Sequence, residues 1–217
     1  MLERMEEFFN NRADGYEEHM MNNVEGADEY YAETAKLIPK DEKLKILDLG
    51  CGTGLEIDEI LTRNPDVHIT AIDMAEDMVK KIKEKHADKI NQINIIIDNY
   101  LEYGFDKDKF DAAVSVESLH HFSHEEKIKL YTKIYKSLNE NGIFIDTDYV
   151  APDQEFEDYH YKENAKMRLE FGINNGLYHY DTPCTVENEK KFLIKSGFKS
   201  AEVVWKKGST AIIVAKK

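Results

Sequence analysis

The stretch Ile46-Leu-Asp-Leu-Gly-Cys-Gly-Thr-Gly54 decides the architecture of this chain. Its first half is apolar in the manner of a strand. The residues that follow, Leu55 to Thr62, put Ile57, Ile60 and Leu61 on one face of a helix. Between the two, Gly50, Gly52 and Gly54 let the backbone turn tightly and approach a ligand without interference from a Cβ, and the opening helix offers free N–H groups. A dinucleotide fingerprint reads G-x-G-x-x-G. Here the spacing is G-x-G-x-G, and Leu55 stands where that fingerprint has its third glycine. Glu56 and Asp58, in the first helical turn, would repel a pyrophosphate. Nineteen residues after Gly54, Asp73 closes Ala71-Ile-Asp-Met74, where a carboxylate can accept hydrogen bonds from both hydroxyls of a ribose. In this order and spacing the two features indicate a nucleoside-containing ligand.

Outward from that turn, short apolar runs alternate with helical patterns. Strands are predicted at Lys45 to Leu49, Val67 to Ile72, Ile93 to Ile97, Phe110 to Val116 and Ile143 to Asp146. Helices are predicted at Met74 to Lys85, with Met78, Val79 and Ile82 at helical spacing, and at Glu125 to Leu138. Near-continuous apolar strands separated by helices imply a parallel sheet covered on both faces. The end differs: a helix from Val186 to Ser196, then strands Ala201 to Trp205 and Thr210 to Ala215 joined through Lys207-Gly208. Strands that close must pair antiparallel, since a parallel crossover needs a dozen or more residues. The expectation is an α/β, doubly wound, mostly parallel seven-stranded sheet with an antiparallel strand at one edge. It forms a single domain over 1–217, made of a helical N-terminal cap (1–40), a ligand-binding core (41–146), a lid insertion after strand five (147–184) and a C-terminal helix with the antiparallel pair (185–217).

Composition narrows the function. Twenty-nine Lys and Arg against 43 Asp and Glu give a net charge of −14, which repels phosphate backbones and argues against a nucleic-acid partner. The lysine run Lys80-Lys-Ile-Lys-Glu-Lys85 reads as the polar face of a helix. No apolar run exceeds Ala211 to Ala215, so no membrane span is expected, and the charged N-terminal stretch lacks the apolar core of a signal peptide. Two cysteines, Cys51 and Cys184, make no disulfide framework or zinc-type spacing. Cys51 suits a tight turn as a small side chain, and Cys184 carries no assignment. A cytoplasmic protein without a metal is expected. His160, His179 and Asp181 fit no defensible zinc spacing.

The residues Asp48-Leu-Gly-Cys-Gly-Thr-Gly54, Asp73, Asp98-Asn-Tyr100, Phe110-Asp-Ala-Ala-Val-Ser-Val116 and Leu119-His-His-Phe122 resemble the class I S-adenosylmethionine-dependent methyltransferases, in particular the ubiquinone/menaquinone-biosynthesis-like small-molecule subgroup. The segment Asn10-Asn-Arg-Ala-Asp-Gly-Tyr16 also looks like that subgroup. The resemblance implies S-adenosyl-L-methionine as cofactor. The backbone of Gly50, Cys51 and Gly52 would hold its methionine part and Asp48 its amino group. Asp73 would take the ribose, and Met74 the adenine face. Asp98 would accept from the adenine amino group and Asn99 donate to the ring, with Tyr100, Ser115, Val116 and Tyr16 completing the lining.

Methyl transfer from a sulfonium asks the protein mainly to align nucleophile, methyl carbon and sulfur. A base is needed only if the acceptor must lose a proton first. The candidates are His120 and His121 after strand four, against a plainer reading in which one packs under the next helix and the other is solvated. Ser115-Val-Glu-Ser118 stands where a nucleobase amino-methylating enzyme of this class would carry an Asn/Asp-Pro-Pro-aromatic tetrapeptide, so that substrate class is disfavoured. Tyr149, Phe156, Tyr159 and Tyr161, interleaved with acids, together with Tyr178 and Tyr180, form the candidate substrate lid, suited to an amine-bearing small-molecule acceptor. The alternatives are a protein that binds the cofactor or its demethylated product without turnover, a nicotinamide-dependent oxidoreductase, and protein or RNA methylation. A homodimer is compatible with the antiparallel edge and the N-terminal helices.

Overall fold

The structure is a computed structural model that describes residues 2–40 and 43–217. Residues 41 and 42, where the boundary between cap and core was expected, lie outside the described residues. Three short helices come first, α1 (Met5–Asn10), α2 (Tyr16–Asn23) and α3 (Ala27–Leu37). The alternating core follows: β1 (Lys45–Leu49), α4 (Leu55–Arg63), β2 (His68–Asp73), α5 (Glu76–Lys85), β3 (Ile93–Ile97), β4 (Phe110–Val116), α6 (His124–Ser137) and β5 (Leu138–Tyr149). Then come α7 (Gln154–Glu170), α8 (Val186–Lys195), β6 (Ser200–Lys207) and β7 (Thr210–Lys216).

The seven strands form one sheet in the order β3-β2-β1-β4-β5-β7-β6. The first five are parallel, and β7 runs antiparallel to both β5 and β6, so β6 is the outermost strand. β5 extends beyond the apolar run Ile143 to Asp146 at both ends. A register shift between Phe110 and Ala112 absorbs the polar Asn139-Glu-Asn141, and β7 pairs as far as Tyr149. Apolar content marks a strand's centre, but backbone pairing sets its ends.

Both faces of the sheet are covered. On one, α3, α4 and α5 pack Tyr30, Tyr31, Ile57, Ile60 and Ile82 against Ile46, Ile69 and Val114. On the other, α6 and α8 pack Leu130, Ile134 and Leu193 against Leu47, Leu49 and Phe144. Successive strand residues divide between the two clusters because side chains alternate across a strand. Truncating fully buried Ile57 to Ala would cost roughly 2–5 kcal/mol. A capping box starts α6: Ser123 Oγ accepts from the Glu126 N–H, and the Glu126 carboxylate accepts from the Ser123 N–H at 2.8 Å.

Strand order reverses between β1 and β4, the place where open α/β sheets bind ligands at their carboxyl ends. The N-terminal helices cross that end. The Met5 N–H donates to Leu177 O at 3.1 Å, and His179 N–H to Glu3 O at 3.0 Å, tying the cap to the second half of the insertion. Asn10 Oδ1 accepts from the Asp77 N–H at 2.9 Å, seating α1 on the start of α5. Among the described residues, no helix is long and apolar enough to cross a membrane.

Candidate functional site

Gly50, Gly52 and Gly54 have φ of 74°, 47° and 81°, the left-handed region that favours glycine. A Cβ on Gly50 would sit 2.0 Å from Ser118 Oγ, and one on Gly54 2.9 Å from Ile82. Asp73 braces this turn: one carboxylate oxygen accepts from the Gly52 N–H at 2.9 Å and the other from Ala75 N–H at 2.8 Å. Burial raises the Asp73 pKa, and these backbone donors oppose the rise. Below the turn, Asp48 is fully buried, and both its oxygens lack a hydrogen-bond partner, as does Glu56 Oε1 on the first turn of α4. Burial pushes Asp48 up to about 7, with Glu56 opposing, and burial plus Asp48 lifts Glu56 well above the carboxylate range. Buried acceptors left unpaired are costly. Here the two carboxyls lie beneath the turn, outside the lining of the slot above it.

Above the turn lies a narrow slot of about 40 Å³, little more than one water's share of liquid volume. It brings together Tyr16, Gly50, Gly52, Asp73, Met74, Asn99, Tyr100 and Val116 of the expected residues. Four others stand outside it. Asp48 lies beneath, and Cys51 packs into the core behind α4. Ser115 spends its hydroxyl on Leu49 O at 3.0 Å. Asp98 is exposed and accepts from the Asn99 N–H at 2.7 Å, which occupies the donor expected to serve an adenine ring. Sequence reasoning missed Met5, Phe9, Met78, Glu117 and Ser118. Met5 and Phe9 close the slot from α1. Ser118, at the position of the absent tetrapeptide, meets Tyr100 Oη at 2.7 Å across Gly50. Glu117 carries its own signal only in the structure: φ is 49°, unusual for a residue with a side chain. It is held there by its N–H to Thr147 O at 2.7 Å and by the Thr210 hydroxyl to its carboxylate at 3.0 Å.

Past Tyr16 and His121 the slot meets a cavity of roughly 710 Å³, walled by α1 and α2 on one side and by His120, His121, His179 and Asp181 on the other. His120 and His121 are both buried, which replaces the expectation that one of them is solvated. His120 Nδ1 bonds Asp148 Oδ1 at 2.6 Å. Burial opposes the His120 charge, but Asp148, Asp181 and Glu117 outweigh it and hold the imidazole up to about 9. Burial and the neighbouring His120 charge lower His121, and burial with His121 brings His179 down to about 4. Burial would raise Asp181, yet the surrounding imidazoles hold it well below the carboxylate range. Burial pushes Glu117 up to about 7 against the pull of His120.

The expected lid aromatics lie elsewhere. Tyr149 sits 5.7 Å from the His120 ring, behind the cavity wall. Phe156 stacks on His160 at 4.3 Å, and Tyr180 lies 6.1 Å from the same ring. Tyr161 donates its hydroxyl to Phe122 O at 2.9 Å and touches Cys184 Sγ, giving that thiol a packing partner. Tyr178 lies between Arg4 and Arg168, and Tyr159 is exposed. The anchor of α7 is instead Glu157, fully buried and accepting from Thr185 N–H at 2.6 Å and from the Asn188 amide. The opposite side of the cavity is built from α1 and the turn after it: Phe8, Phe9 and Arg12.

A family model described as a methyltransferase domain matches residues 46–142. The carboxy-S-adenosyl-L-methionine synthase of Campylobacter hominis is 28% identical over 206 residues, covering 87% of this chain and 86% of the relative. The phosphoethanolamine N-methyltransferase of Plasmodium falciparum is 32% identical over 134 residues, covering 60% of this chain and 48% of the relative. Among solved structures, Haemonchus contortus phosphoethanolamine N-methyltransferase 2, in complex with phosphomonomethylethanolamine and S-adenosylhomocysteine, aligns with a TM-score of 0.69 at 20% identity over 91% of this chain. Human N-acetylserotonin methyltransferase in complex with SAM aligns with a TM-score of 0.67 at 16% identity over 98% of this chain. This chain spans only 44% and 56% of those two structures' own lengths. At such identities the likeness concerns the fold.

Proposed function

We propose that this chain is a class I S-adenosylmethionine-dependent methyltransferase, which transfers the methyl group of that cofactor to a small molecule held in the cavity beyond Tyr16 and His121. The observation that carries the reading is the buried carboxylate of Asp48 beneath a turn whose three glycines hold the left-handed φ, with Gly50 and Gly54 leaving no room for a Cβ. In its charged form that carboxylate fits the cationic amino group of the cofactor's methionine part. Asp73, at the end of β2, can accept from ribose hydroxyls, and the Gly50 to Gly52 backbone can lie against the methionine chain. Met74 and Asn99 line the side where a base would rest. When bound, the cofactor supplies a methyl group on a positively charged sulfur. The residues of this chain bind and orient it, exclude water through Met5 and Phe9, and hold the acceptor in line.

Calorimetric titration with S-adenosylmethionine, with its demethylated product as second ligand and NAD as control, tests the reading. One-site binding of the first two and none of NAD supports it; no binding of either refutes it. The proposal includes a cytoplasmic setting, which two free buried thiols suit. It includes no nucleic-acid partner, in keeping with the charge of −14. It also includes a homodimer, for which light scattering is the check.

One observation favours a second reading. A relative matched over most of its length is named a carboxy-S-adenosyl-L-methionine synthase, and Arg12, 3.6 Å from the Phe8 ring on the cavity wall, is placed to receive a carboxylate. Mass spectrometry of the products separates the two. Methyl transfer yields S-adenosylhomocysteine and a methylated acceptor, whereas the second reading yields a carboxylated cofactor.

A further inference from the structure

The histidine wall of the cavity has more structure than a general base requires. Three imidazole nitrogens converge on one carboxylate oxygen: His121 Nδ1 at 3.2 Å, His120 Nε2 at 3.7 Å and His179 Nε2 at 3.7 Å from Asp181 Oδ1. None of these approaches is a hydrogen bond. His121 Nδ1 and Asp181 Oδ1 are both shielded from solvent and both unpartnered, and the His121 side chain is only 4% exposed. Atoms that crowd together without bonding each other are aimed at a common point. Ligands on a tetrahedral ion with bonds of about 2.0–2.2 Å stand about 3.3–3.6 Å apart, and the three contacts bracket that spacing. The ligand atoms of His120, His121 and Asp181 all lie within 4.8 Å of one another.

The supports around this point are those a metal centre uses. His120 turns its other nitrogen onto Asp148 Oδ1 at 2.6 Å, the carboxylate–histidine pairing that fixes tautomer and ring orientation in such sites. Thr182 clamps the segment carrying Asp181 to the turn carrying the histidines, its N–H and hydroxyl both donating to His120 O at 2.7 and 3.0 Å. His179 is stacked on Phe8 with ring centroids 3.5 Å apart. We propose that His120 Nε2, His121 Nδ1 and Asp181 Oδ1 hold a divalent first-row transition-metal ion such as Zn²⁺, with the cavity beyond. Imidazole-rich sets with one carboxylate suit zinc and its neighbours, while calcium and magnesium prefer all-oxygen sites.

The use of the ion rests on the methyl-transfer reading. An acceptor hydroxyl or thiol entering as a further ligand would be acidified, its proton passing to Glu117, which lines the same cavity. The acceptor's lone pair then forms the bond to the methyl carbon as the carbon–sulfur bond breaks, and that bonding pair stays on sulfur.

The test is titration of the purified full chain, freed of metal by chelator, with Zn²⁺ by calorimetry and with Co²⁺ by visible absorption. S-adenosylmethionine is titrated into the same preparations. One ion per chain is expected, with the intense visible bands of low-coordinate cobalt. Asp181→Asn and His121→Ala should each weaken binding by more than about 100-fold, and Asp148→Asn by about 10–100-fold, while exposed His68→Ala changes nothing. Asp181→Asn is nearly isosteric, so it keeps the test sharp if His121→Ala fails to fold. Absence of saturable binding, or binding equal in all four variants, overturns the site. If the cofactor binds and the metal does not, only the metal proposal falls. If the metal binds and the cofactor does not, the site stands and the methyl-transfer reading falls.

Discussion

The two halves of the candidate site are built in opposite ways. The cofactor slot is made from consecutive strand ends of one sheet: Gly50 to Gly54 after β1, Asp73 and Met74 closing β2, Asn99 and Tyr100 after β3, Val116 to Ser118 after β4. Much of its work is done by backbone that only glycine permits. The cavity wall is assembled from remote segments, with Phe8, Phe9 and Arg12 from α1 and its C-terminal end facing His120, His121, His179 and Asp181, and its work is done by side chains. A backbone site tolerates little substitution, whereas a side-chain site can be re-specified one residue at a time. Changes in the slot should therefore abolish function or stability, and changes in the wall should shift acceptor preference.

The largest expected effect is at Asp73. Asp73→Ala removes the acceptor for the ribose and the bonds from Gly52 and Ala75 that shape the turn. Two hydrogen bonds to a charged group contribute about 3 kcal/mol or more, so S-adenosylmethionine affinity should fall at least about 100-fold by calorimetry. An affinity within a few-fold of the parent would break the assignment of the slot.

Gly50→Ala comes next. It sets a Cβ against Ser118 Oγ on a backbone with φ of 74°, which should cost about 2–4 kcal/mol in chemical denaturation. Adding Ser118→Ala should recover the steric part, about 1 kcal/mol, and leave the conformational part. Full recovery would show that the left-handed φ costs nothing there, against the view that backbone shape defines this half.

The same contrast explains what the sequence made legible. The turn, Asp73 and the strand order could be read because each depends on local spacing: glycines at fixed offsets, an acid at a strand end, apolar runs separated by helices. Of the wall only His120 and His121 could be read, from their place after strand four; nothing local ties Phe8 to His179, which meet by ring stacking and by the backbone bonds of Met5 and His179. The aromatics of α7 misled for a related reason. Interleaved with acids, they were assigned to a pocket, but Tyr159 is exposed and the deepest residue of the helix is Glu157, which ties it to the start of α8. That carboxylate, despite its burial, is drawn down to about 2 by His124, Thr185 and Asn188. A buried acid with a full set of donors carries no signature in a hydrophobic pattern. Asp48 was legible as a residue of the glycine motif, but its lack of partners was not, since that depends on which donors the fold brings near it.

Asp48 also gives a pH test of intermediate size. Burial sets its pKa near 7, with Glu56 of α4 opposing the rise and Asp73 of β2 adding to it. A cationic ligand favours the charged carboxylate, so affinity should rise with pH and level off above about 7. At pH 6 it should be roughly tenfold weaker than the plateau. Stability without ligand should run the other way. The folded state keeps a proton on this group that the unfolded state has lost, so stability declines as pH climbs from about 4 towards 7. Opposite slopes from one residue, both flattened in Asp48→Asn, would sharpen the assignment, and parallel slopes would remove it.

The smallest effect is expected in the wall. Arg12 reaches the cavity over the Phe8 ring and is otherwise exposed, with a half-exposed ion pair to Glu3 at 3.3 Å. Such pairs contribute at most about 1 kcal/mol. Arg12→Ala should leave fold stability and S-adenosylmethionine affinity within about twofold of the parent, because its side chain bonds Phe8 O and Glu3 rather than any group of the slot. Its effect should fall on the KM of the acceptor, several-fold upward if the acceptor carries a carboxylate or phosphate and slightly downward if it carries an amine. The direction thus reads the sign of the acceptor's charge from a residue outside the cofactor slot. A change in cofactor affinity equal to the change in acceptor KM would mean that the slot and the wall act as one site, and the division between backbone and side-chain recognition would fail.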